Sequence, residues 1–133
     1  MTLRRLFAIN LFLALFFGLG CALLPREICA AYGLTANTAA LWTTRLLGGS
    51  LLGFATLMWF GWRFAPDGTQ RAVAFALLVQ DSIGFVASLE AQGSREMTSL
   101  GWSNLVLYGL LALGYAYFLF VAPSRTNTTV NAA

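Results

Sequence analysis

Histidine and lysine are absent from this chain of 133 residues, and only two cysteines, three prolines and five acidic residues are present. Each shortage closes a class of function. Without histidine the commonest ligand of haem and transition metals is missing, and no nucleophile–histidine pair can form. Two thiols, Cys21 and Cys29, cannot make a four-cysteine zinc or iron–sulfur site within one chain. No metal and no other cofactor is expected, nor is an enzyme. The formal charge of +3 comes from eight scattered arginines and forms no basic patch, so nucleic acid is not an expected partner.

Apolar residues fill the space these shortages leave. They make up 59% of the chain, while 10% is charged, against roughly a quarter in an average soluble domain. A bilayer can receive that much apolar surface; a soluble fold of this length cannot hide it. Four stretches, over about residues 6–24, 38–62, 71–91 and 102–122, each hold about the 20 residues needed to cross a hydrocarbon core of roughly 30 Å. Lipid offers backbone amides no partner, so the stretches must be helices. The expected fold is all-α, an up-down four-helix transmembrane bundle over residues 1–122, followed by a polar, disordered tail over 123–133. The first stretch has the arginine-plus-apolar look of a signal peptide. Gly18-Leu19-Gly20-Cys21 departs from a lipoprotein site at two positions, and the segment is read as a membrane helix.

The punctuation between the stretches supports these limits. Pro25 ends the first and opens a short interfacial helix that Gly33 stops. Asn37 and Asp67-Gly68-Thr69 precede the second and third as caps. The third connection, QGSREMTSLG, is a polar turn. Arg4, Arg5, Arg63, Arg71 and Arg125 then fall on one side of the membrane, Arg26 and Arg95 on the other beside Glu27, Glu90 and Glu96. This asymmetry places both termini in the cytoplasm. Trp42 and Trp102 mark the outer interface and Trp59 and Trp62 the inner one, as aromatic belts do.

Two opposite charges lie inside the middle stretches, Arg45 and Asp81. An ionised side chain at the centre of a spanning helix costs about 2.5–3.5 kcal/mol on insertion scales. At 1.5 Å per residue the two depths differ by roughly 4–5 Å, so neighbouring antiparallel helices would bring them together as an intramembrane ion pair. Asn104 and Tyr108, four residues apart on the fourth stretch, share a face and join them in a polar cluster. Gln80, Ser82, Gly84 and Ser88 lie near the aspartate. The cluster is either a set of interhelical hydrogen bonds, each worth about 0.6 kcal/mol, or the lining of a small cavity open to the periplasm.

Small residues form the second constellation. Gly49 and Gly53 make a GxxxG, with Arg45 on the same face, and Ala14 and Gly18 give the first helix a matching face that Asn10 extends. Such faces let backbones approach closely, within a monomer or between copies. Cys21 and Cys29 lie on either side of the Pro25 turn, where a periplasmic disulfide is one reading.

Leu23-Leu24-Pro25, Tyr32-Gly33-Leu34 and Arg45-Leu46-Leu47-Gly48-Gly49 with Gly53 resemble small bacterial membrane families of the DoxX-like type, and the similarity continues through Gly101-Trp102 and Gly114-Tyr115-Ala116-Tyr117-Phe118. The resemblance implies a four-helix bundle in a bacterial inner membrane and assigns no catalytic residue. Three functions follow. The first is a non-enzymatic structural or accessory subunit, or a homo-oligomer, acting through helix packing within the bilayer or a larger membrane complex. The second is a small oligomeric transporter or channel using Arg45, Asp81, Asn104 and Tyr108. The third, with least support in the residues, is a lipid- or quinone-linked enzyme.

Overall fold

The computed structural model describes residues 3–93 and 98–121. Among these there are five α-helices and no strand: α1 (Leu3–Leu23), α2 (Pro25–Ala31), α3 (Thr38–Arg63), α4 (Asp67–Gly93) and α5 (Leu100–Ala116), which runs on as a π-helical turn over Tyr117–Val121. The centre of the third connection with Arg95 and Glu96, and the tail with Arg125, lie outside the described residues.

Three helices are long and apolar enough to cross a membrane, over Leu3–Leu23, Gly68–Gly93 and Leu100–Val121. The 26 residues of α3 would also reach across, but its threonines, glycines, serine and arginine dilute its apolar character. Large apolar side chains nevertheless point outwards from all four long helices: Phe12 and Phe16 on α1, Trp42 and Phe60 on α3, Phe75 and Ile83 on α4, Leu110 and Leu113 on α5. Surface of that kind is stable against acyl chains and costly against water. This is a membrane protein.

Local chemistry sets the helix ends. The Asn37 side chain accepts from the Ala40 N–H at 2.8 Å and caps α3. Pro25 opens α2, where its missing N–H costs nothing. α2 closes on Gly33 at φ 76°, with the Gly33 N–H bonded to Ala30 O at 3.1 Å and the Leu34 N–H to Cys29 O at 2.8 Å. That pair of bonds is a Schellman closure, which favours glycine at the left-handed position. Asp67-Gly68-Thr69 form the first turn of α4 instead of preceding it, because the buried Gln70 reaches back to Ala65 O at 2.9 Å and anchors the start earlier.

The long helices pack as two antiparallel pairs, α1 with α3 and α4 with α5, joined by sparser contacts of α1 with α5 and α3 with α4. On the first seam, a Cβ on Gly48 would sit 2.6 Å from Ala22 N and 2.8 Å from Gly18 O, and a Cβ on Gly18 would meet Leu51 and Leu52 at 3.1–3.2 Å. Gly18 and Ala14 are buried here. The expected GxxxG face is displaced by one residue: a Cβ on Gly49 or Gly53 would meet nothing within 4 Å. α3 turns Gly48, Ala55 and Met58 inwards, and rotation by a single residue carries Gly49 and Gly53 to the outside. On the second seam glycines receive rings, Gly84 under Tyr108 and Gly109 against Phe85.

Between the pairs, Phe7, Leu11, Met58, Ala74, Leu111 and Tyr115 form the core, with the Phe7 and Tyr115 rings 5.9 Å apart. At the far end of the second pair, the Arg71 guanidinium donates to Leu119 O at 2.7 Å.

Candidate functional site

A cavity of about 160 Å³ separates the two helix pairs. α4 contributes Gln80 and Asp81, α5 contributes Asn104 and Tyr108, α1 contributes Asn10 and Cys21, and α3 contributes Thr44 with several apolar side chains. The α2 segment closes one end with Ile28, Tyr32 and Leu34. Two of the lining residues, Leu34 and Leu47, are also partly exposed at the surface.

Both ends of this space are tied by hydrogen bonds between the pairs. At the α2 end, the Tyr32 hydroxyl donates to Asn104 Oδ1 at 2.9 Å. Beside it the Thr98 hydroxyl donates to Ala31 O at 2.8 Å, and the Thr98 N–H to Tyr32 O at 3.2 Å. Burial holds the Tyr32 phenol above its ordinary pKa, so it keeps the proton it donates. At the other end, Asn10 Nδ2 donates to the Tyr115 hydroxyl at 3.0 Å, with both side chains buried.

The middle is not tied. Asp81 is 2% exposed, and its Oδ2 has no hydrogen-bond partner among the described residues; neighbouring Gln80 Oε1 is buried and equally alone among them. Among the described residues no cation is paired with the carboxylate. The expected Arg45–Asp81 pair does not form, because Arg45 is exposed on α3 and does not line the cavity. Depth along a helix says nothing about rotation around it. Of the expected cluster, Asp81, Asn104 and Tyr108 come together, while Arg45 stands outside.

Cys21 and Cys29 are buried free thiols and form no disulfide. Cys29 instead lies 3.4 Å from the Thr44 hydroxyl. Gln80, Asn10, Tyr32 and Tyr115 carry more of the site than sequence alone assigned them. Asn10 is the only strongly polar side chain in the body of α1, which was the available signal. Tyr32 carried none beyond its place before Gly33.

No protein-family profile matches the chain, and no solved structure matches it. Over 94 residues it is 31% identical to an MFS-type transporter of Alternaria alternata, covering 65% of this chain and 19% of the transporter. The chain thus spans about a fifth of the length of that relative.

Proposed function

We propose that the protein is a four-helix transmembrane bundle, with α3 as the fourth span, that binds and passes a small solute through the cavity beside Asp81. The observation that carries this is the buried carboxylate itself. An ionisable side chain placed inside a membrane without a partner is costly, and here it faces a cavity instead of a neighbouring helix. The likeness of part of the chain to a transporter is in keeping with it. The proposal includes no enzymatic step. Both termini face the cytoplasm, on the arginine asymmetry, and the membrane is the inner membrane of a bacterium, on the resemblance to the DoxX-like proteins.

The test is efflux from proteoliposomes loaded with glucose, glycylglycine, benzoate and 2-phenylethylamine. At least one solute should leave faster than from protein-free vesicles, and Asp81→Asn should remove most of that excess. Equal efflux of all four with and without protein would refute passage of these solutes.

A second function, as a packing subunit or homo-oligomer, is favoured by a different observation. Arg45, Gly49 and Gly53 form an exposed stripe on α3, and glycine faces of this kind accept another helix closely. Cross-linking through Gly53→Cys in mild detergent would give a defined dimer or a co-purifying chain if the stripe is covered. A monomer at every cross-linker length would exclude it.

A further inference from the structure

We infer that the solute this cavity accepts is a small primary or secondary ammonium ion carrying an apolar body of about one ring. The assignment rests on the cavity being a solute site and specifies the chemistry of that site.

The two orphaned atoms decide the polar end. Gln80 Oε1 and Asp81 Oδ2 are the fully buried lining atoms without a partner among the described residues, and both carry lone pairs. A ligand that satisfies them must bring hydrogens. Tyr32 cannot serve as that donor, because its hydroxyl is already committed to Asn104. Among the described residues no arginine lines the cavity, so an anion would meet a carboxylate with none of them to offset the repulsion. A cation with N–H groups fits both demands, since hydrogen bonds to a charged group are roughly twice as strong as neutral ones. A quaternary ammonium would satisfy the charge but neither acceptor.

The rest of the lining decides the body. Leu13, Phe17, Leu51, Phe54, Met58 and Leu111 surround the polar strip. A cavity of about 150 Å³ lined by aliphatic and aromatic groups is large enough for benzene, and this one measures about 160 Å³. Aromatic rings near a desolvated cation add cation–π attraction.

The experiment is equilibrium dialysis of radiolabelled 2-phenylethylammonium against the full chain in phosphatidylcholine nanodiscs, with empty nanodiscs as the blank. 2-Phenylethanol and the N,N,N-trimethyl derivative serve as the uncharged and donor-free comparisons. Saturable binding of one ammonium per chain is expected, at least tenfold tighter than either comparison and at least tenfold weaker in Asp81→Asn. Asp81→Asn keeps the shape of the side chain; should it fail to fold by circular dichroism, Gln80→Leu replaces it, with a several-fold loss expected. Equal binding of the alcohol, or no change in either variant, overturns the ammonium assignment and leaves a solute site in place. Equal binding of the trimethyl derivative overturns the requirement for N–H donors. Absence of saturable binding overturns the assignment too. If efflux then selects another solute the cavity remains a site, and if it selects none both conclusions fall.

Discussion

The two helix pairs solve the same packing problem in opposite ways. α1 and α3 bring backbone against backbone through Gly18 and Gly48, and the buried polar groups of that half find partners: Asn10 at Tyr115, Cys29 at Thr44. α4 and α5 meet through rings seated on Gly84 and Gly109. All three buried side-chain atoms lacking a partner among the described residues, on Gln80, Asp81 and Gln92, belong to α4. One pair is a satisfied scaffold; the other carries unfinished chemistry. In lipid an unsatisfied polar group has no water to fall back on, so leaving it on one helix of one pair localises function there.

The largest effect should come from breaking the scaffold seam. Gly48→Leu forces a side chain into Ala22 and Gly18, and overpacking of this kind costs about 1–3 kcal/mol or more. Loss of the monodisperse peak in size-exclusion chromatography is expected, whereas Gly49→Leu, one residue further on, should leave it intact. If both variants behave alike, the rotation of α3 is wrong. On the second seam, Gly84→Val collides with the Tyr108 ring at 2.9–3.0 Å. A ring edge can swing where a backbone cannot, so a smaller loss of about 1–2 kcal/mol is expected by denaturation in detergent. The tie between the pairs ranks third. A double-mutant cycle of Asn10→Leu and Tyr115→Phe should give a coupling of about 0.6 kcal/mol, the typical value for membrane hydrogen bonds. Smallest of all is the cycle Arg45→Leu with Asp81→Leu, which should be additive to within about 0.3–0.5 kcal/mol. A coupling of several times that size would restore the ion pair.

What the sequence disclosed follows from what periodicity and composition encode. Asn37 and the Pro25–Gly33 segment were legible because caps and turns act within a few residues. The polar face of α5 was legible because Asn104 and Tyr108 are four apart on one helix. The Gly49 face and the Arg45 pair were misplaced for one shared reason. Both required the rotation of α3 about its axis, and in a helix apolar on most sides no amphipathic stripe announces it. Gly48 and Gly49 are adjacent and chemically identical, and only the opposing backbone of α1 tells them apart. The isolation of Asp81 was illegible too, since it depends on where Arg45 does not point.

The bond from Arg71 to Leu119 carries a consequence for engineering. A guanidinium from 48 positions earlier holds a carbonyl in the last described turn of the chain. Truncating Arg71 therefore acts at a distance, stranding an oxygen far along the chain. Anyone grafting a fluorescent fusion or an affinity tag onto the carboxyl end would be wise to leave Arg71 and the turn it holds untouched.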